Sequence, residues 1–320
     1  MNKIASKFTT TLLAGAVLSA LTISSAHALA IKAEVSGSVG GAAFTTDTDG
    51  PASSGSVDVL DSAVSSDSMS DVFYHTYGDD NGDFGSRVSG NGVFDITGIF
   101  TYSDTITNNS GTDQAYNFDF TVIPGELALS GSLPNSGESL FAEYQIDILV
   151  DGVSIWDSAA SLSKTSGSSA VFSNYGSQSL GGILSTTDAY TRYSWDEYID
   201  SVALATLAVG ESIDFEYRLM SHATGNSDCY SGDYEENFDG VLFELDVIQE
   251  DGIGFRGGES MGTCGAIARS GDPFHFGGSN PNFSSISSQA VNTANVPEPG
   301  ILALFGLGFA GLFAAKRRKS

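Results

Sequence analysis

The chain has 320 residues, with 13 Lys and Arg against 39 Asp and Glu, 38 glycines, two cysteines and 41% hydrophobic residues. That is enough to bury a core in one large domain or two small ones. Six of the basic residues (Lys3, Lys7, Lys316, Arg317, Arg318 and Lys319) crowd the two ends, so Ile31 to Val296 holds seven basic residues against 38 acidic ones, a net charge of −31. Such a body repels a phosphate backbone and offers no basic stripe for counterion release, which excludes nucleic acid as a partner.

Residues 1–30 read as a secretory signal peptide with an N-terminal signal helix. Lys3 and Lys7 supply the positive region, Thr9 to Ile23 is uncharged, and Ala26-His27-Ala28 or Ala28-Leu29-Ala30 offers an A-x-A cleavage site.

The body, residues 31–283, is expected to be all-β, an antiparallel β-sandwich of Ig-like or jelly-roll-like kind. Ala42 to Ser70 is rich in Ser, Asp, Gly and Thr and predicts a long loop or arm. Beyond Gly92 the apolar residues alternate, as in half-buried strands. Phe94, Ile96, Phe100, Tyr102 and Ile106 share one parity; the polar run from Asn108 to Asp113 then leads to Phe118, Phe120 and Val122, predicting a hairpin. Ala142, Tyr144, Ile146, Ile148 and Val150 predict a second, with Asp151-Gly152 as a two-residue type I′ turn before Val153 and Ile155. Ser158 to Thr187 is Ser/Gly-rich and reads as a connection. Ser201 to Ala208, Ile213 to Met220 and Val241 to Ile248 are further strand candidates.

There is also an internal echo. Residues 137–146 and 210–219 align without gaps, with five identities (Gly, Glu and Ser at the start, then the Glu-Tyr pair). Either a duplicated half or convergence on the same turn-then-strand grammar produces such a match, and the unmatched flanks favour convergence. Residues 284–295, Ser/Asn/Ala-rich, read as a linker.

Candidate chemistry in the body is sparse. Cys229 and Cys264 are the only cysteines, and an exported chain meets an oxidising compartment, so they are expected to pair. Asp outnumbers Glu 26 to 13 and gathers in turns; Asp79, Asn81 and Asp83 alternate as at the start of a calcium loop, the oxygen-rich kind of turn that a hard cation needs. The EF-hand pattern then fails, because Phe84 occupies its Gly position and Gly90 its bidentate Glu position. The other reading is a solvated acidic turn. His75, His222 and His275 lie in no zinc or nucleophile motif, and 38 carboxylates nominate no acid/base pair, so no enzyme is expected. Tyr74 to Tyr77 and Asp272 to Phe276 are aromatic clusters that read as core before sugar-stacking surface; Trp156 and Trp195 also read as core.

The C-terminus is the most specific part of the sequence. Val296-Pro297-Glu298-Pro299-Gly300 precedes an uninterrupted apolar run, residues 301–315, and then Lys316-Arg317-Arg318-Lys319. As a transmembrane helix the run spans roughly 22 Å, short of a hydrocarbon core of ~30 Å, with the cations on the cytoplasmic side. Residues 296–320 resemble the PEP-CTERM sorting signal of Gram-negative bacteria: Val296, Pro297, Glu298 and Pro299 carry the motif, Arg317 and Arg318 the basic stop, and Gly300 stands where Ser or Thr often follows.

The resemblance implies recognition by exosortase, a membrane-embedded cysteine-protease-like enzyme, and cleavage near the motif. An inner-membrane intermediate, held through the C-terminal helix, then gives way to delivery at the cell surface or in the extracellular exopolysaccharide matrix. A structural or adhesive role in biofilm, with matrix glycans as partners, is the expectation. The alternatives are a carbohydrate-binding module, with or without calcium, and a polysaccharide-processing enzyme.

Overall fold

The computed structural model describes residues 29–67, 69–80, 82–228, 264–270 and 283–291. Both expected terminal helices, 1–30 and 301–315, lie outside the described residues but for Leu29 and Ala30, and the described residues contain no helix. The strands are β1 (Ala30–Val39), β2 (Ala42–Ala43), β3 (Asp47–Ala52), β4 (Ser56–Val64), β5 (Asp71–Asp79), β6 (Phe84–Asn91), β7 (Val93–Thr107), β8 (Gln114–Val122) and β9 (Gly125–Ser130). They continue with β10 (Ser139–Val150), β11 (Val153–Thr165), β12 (Val171–Asn174), β13 (Ile183–Thr186), β14 (Tyr190–Trp195), β15 (Tyr198–Leu207), β16 (Ser212–Asn226), β17 (Gly265–Ser270) and β18 (Phe283–Ala290).

Every pairing between these strands is antiparallel. An eight-stranded sheet runs β12-β11-β10-β16-β7-β1-β2, with β3 also on β1. A seven-stranded sheet, β13-β14-β9-β17-β6-β5-β4, packs against it, and a three-stranded sheet, β15-β8-β18, completes the second layer. The sandwich is therefore wider than an Ig-like domain of seven to nine strands or a jelly roll of eight.

Period-two alternation decides which side chains enter the core. On β7, Phe94, Ile96, Phe100 and Ile106 are buried as the parity predicts; on β16, Ile213, Phe215, Tyr217 and Leu219 are. Phe84 lies 4.8 Å from both Phe100 and Tyr217, and Phe118 of the small sheet lies 4.8 Å from Phe215. These offset and edge-on rings join all three sheets into one core. Gly78 and Gly98 sit where the layers come closest: a Cβ at Gly78 would stand 2.1 Å from the Phe100 ring.

Four expectations about connections need correction. Residues 42–70 are not a loop, since they carry β2, β3 and β4 at one edge of the sandwich. Residues 158–187 hold the rest of β11 with β12 and β13. The linker 284–295 is largely strand, because β18 pairs with β8 as far as Ala290. The strands β7 and β8 form no hairpin: β7 pairs with β1 and β16, and β8 with β15 and β18.

The polar run between β7 and β8 is instead an arch from one layer to the other, organised by Asn108, which is fully buried. Its Nδ2 donates to the carbonyl oxygens of Thr112 (3.0 Å) and Leu207 (2.8 Å), and its Oδ1 accepts from the N–H and hydroxyl of Ser110. Its backbone N–H donates to Glu211 O and its carbonyl accepts from Gly210 N–H. The hairpin β10–β11 forms as predicted, with Asp151 and Gly152 both at positive φ and Val150 opposite Val153.

The echo is a shared turn. In each copy a glycine at positive φ (Gly137, Gly210) is followed by a Glu whose N–H donates to the carbonyl three residues back, at Asn135 and Ala208. The Glu carboxylate accepts the N–H of that same residue at 2.8 Å. The strands so opened, β10 and β16, are antiparallel neighbours. The matched Gly and first Glu build this turn, and the matched Tyr144 and Tyr217 point into the core.

Candidate functional site

β18 is the last described strand before the C-terminal signal. Ala290 is opposite Gln114, and Val291 N–H donates to Asp113 O at 3.0 Å, beside the Asn108 arch. The first strand begins near the same end, with Ala30 opposite Ser103 and its carbonyl accepting from the Ser103 hydroxyl. Both ends of the body therefore flank one arch. Val296, Pro297, Glu298, Pro299, Arg317 and Arg318 lie outside the described residues. The chain length alone limits the distance: five residues separate Val291 from Pro297, so the motif begins within about 20 Å of the sheet edge.

The acidic turn after β5 is built around its own backbone. Asp79 Oδ1 accepts Asp83 N–H at 3.0 Å, Asp79 N–H donates to Asp83 O, and Gly82 takes positive φ. Asp80 Oδ2 accepts Gly55 N–H at 3.1 Å, tying the turn to the one before β4. Asn81 lies outside the described residues. Among the described residues no three His, Cys, Asp or Glu side chains converge on a position for a metal ion.

The Tyr74 to Tyr77 cluster divides between faces. Tyr74 and Thr76 point into the core, while the His75 and Tyr77 rings lie 5.0 Å apart on the outer face, with His75 Nε2 3.0 Å from Asp58. Trp156 and Trp195 are buried, their indole N–H groups donating to Asp200 and to Ile123 O. Two clefts among the described residues enclose about 120 and 290 Å³, at Gly40–Ser70–Asp228 and at Phe44–Asp61–Tyr74. Small-molecule sites usually enclose ~300–1,000 Å³.

Two polar arrangements were missed in the sequence. On the outer face of the seven-stranded sheet, buried Glu126 bridges Arg192 (Nε to Oε2, 2.5 Å) and Arg269 (Nε to Oε1, 2.9 Å), and Arg87 stands opposite Arg269. Three of the seven body cations thus share one patch. On the outer face of the other sheet, His222 lies between Asp95 (3.1 Å) and Glu143 (3.4 Å), linking β7, β16 and β10. Burial opposes charge on this imidazole, but the hydrogen bonds and charges of the two carboxylates outweigh it, and its pKa is raised above 6.5. Alternation put each of these side chains on an outer face; only strand order brought them together.

Residues 295–319 match the PEP-CTERM protein-sorting motif family. No curated protein matches the chain. The match covers the tail alone and begins four residues after the last described residue, so the sorting signal follows the sandwich almost without a spacer.

Proposed function

We propose that this chain, carrying a PEP-CTERM protein-sorting motif at its C-terminus, is a structural or adhesive protein of the cell surface or exopolysaccharide matrix. The motif marks it for export and exosortase processing. The observation that carries the reading is the match at 295–319, directly behind a strand built into the folded body.

Before processing, the apolar run 301–315 holds the chain in the membrane, and the short tether keeps the sandwich within about 20 Å of the cleavage motif. Exosortase cleaves beside Pro297–Pro299 and frees the acidic sandwich to the surface or matrix. A surface of many carboxylates and small clefts suits a matrix component, which meets glycans and their counterions over a broad area.

The test is the intact mass of the protein recovered from the envelope or medium of its own host. The expected chain starts between Leu29 and Ile31 and ends near Pro299, with or without added glycan. A mass that includes Arg318 removes the exosortase reading and the matrix role with it. Processed protein that binds one defined oligosaccharide tightly would replace the structural role with a carbohydrate-binding module.

A further inference from the structure

The two long edges of the sandwich are finished differently. One edge is made by β3 and β4 and bears Asp47, Asp49, Asp58 and Asp61, with Asp58 N–H donating to Asp49 Oδ2 (2.9 Å) across the layers. Charges and cross-layer bonds of this kind stop a sheet edge from pairing with another chain. The other edge is made by β12 in one large sheet and β13 in the other.

This second edge has no such guard. Residues 165–187 contain no charged side chain, the longest uncharged run between β1 and the end of β16, in a body of net charge −31. Its apolar side chains face solvent: Val171 is 58% exposed, Tyr175 51%, Ile183 71% and Leu184 47%. The Phe172 and Tyr193 rings lie 4.2 Å apart, packing β12 of one sheet against β14, the neighbour of β13, in the other. Among the described strands none pairs with the outer side of β12 or β13.

Charge selects the occupant. A basic partner would be drawn to the acidic faces and would gain nothing at an uncharged edge. A second acidic body is repelled by the acidic faces and meets no such repulsion at an uncharged edge. Because both sheets end on the same side, a two-fold edge-to-edge contact extends both at once and is self-complementary. We propose that the β12–β13 edge is a self-association surface at which a second copy of this chain adds strand to strand. The inference stands apart from the sorting role.

Sedimentation velocity on the processed protein, over a range of concentration and salt, tests it. The expected result is a reversible dimer that tightens as salt rises, since screening removes the repulsion between the acidic bodies. The double variant Val171→Lys/Ile183→Lys should weaken the dimer at least ~100-fold, because like charges then face each other across the two-fold contact. It does so although it lowers the net negative charge, which would strengthen any non-specific association.

Ile199→Lys, at the exposed edge strand β15, should leave the dimer unchanged. Ser173→Lys and Ser185→Lys replace small exposed residues and serve if the first variant fails to fold. A wild type that stays monomeric at every concentration and salt overturns the proposal. So does a dimer indifferent to lysines on this edge, or a monomer that uses the edge to hold a neutral glycan.

Discussion

The side-chain nitrogen of Asn108 donates to the carbonyl oxygen of Leu207 at 2.8 Å, joining two residues 99 positions apart and closing the arch between β7 and the small sheet. The same side chain satisfies Thr112 and Ser110, so one buried amide determines where the chain changes layer. Asn108→Ala strips the side-chain donor from the buried Leu207 carbonyl, at about 1–3 kcal/mol, and loses the half-buried bonds to Ser110 and Thr112. We expect a loss of about 2–4 kcal/mol in urea unfolding. A loss under about 0.5 kcal/mol would show that the arch does not depend on this residue.

Glu126 is the shared anion of Arg192 and Arg269, and only 6% of it is exposed. Glu126→Gln keeps the shape but leaves two guanidiniums close together without their countercharge. Removing one partner of a buried ion pair costs about 3–5 kcal/mol; with both arginines partly exposed, about 2–3 kcal/mol is expected here. Arg192→Met in the same background should recover part of it, and a purely additive double variant would exclude the coupling.

His222 gives the body a pH dependence of definite sign. Its folded pKa is raised above 6.5, so its contribution is fully present below the unfolded value and is lost as pH rises through the folded one. The stability difference between the wild type and His222→Asn should therefore be larger near about pH 5.5 than near about pH 8.5. Chemical denaturation at the two pH values measures it, and a difference that grows toward alkaline pH contradicts the arrangement.

Cys229 lies outside the described residues, but the neighbours of both cysteines meet at one turn. Ser227 N–H donates to Gly92 O, Asp228 N–H donates to Glu138, and Gly265, next to buried Cys264, pairs with Asn91. We expect Cys229 and Cys264 to pair, which would close a loop of about 36 residues and contribute roughly 3–4 kcal/mol. Alkylation of denatured, unreduced protein should add no label; two alkylated sulfurs would end the proposal.

The acidic turn after β5 should behave as a backbone turn and not as a calcium loop. Asp79→Ala loses the acceptor for Asp83 N–H, and about 1 kcal/mol of stability should go with it, equally in EDTA and in millimolar calcium. A melting temperature of the wild type that rises with calcium but not magnesium would return the turn to the metal sites.

Much was legible because it is local. The face that Phe94 to Ile106 presents to the core follows from a strand's two-residue repeat, and the Asp151-Gly152 turn from the positive φ its residues tolerate. The C-terminal signal is read from contiguous residues in the same way. Which strand lies beside which is not local. Residues 108–113 have the composition of a hairpin turn, yet both sides of β7 are taken by β1 and β16, and β8 lies in the other layer with Phe118 on Phe215. Residues 42–70 and 284–290 look like connections because edge strands bury little and need few large apolar side chains.

By itself, then, the sequence determined the strand class, the inward faces and the sorting address, each of which depends on neighbours along the chain. Only the tertiary structure decided the layer change at Asn108, the Arg192–Glu126–Arg269 bridge, and the contrast between a guarded and an unguarded edge. Those depend on strand order, which joins residues as far apart in the chain as Ser86 and Ser270.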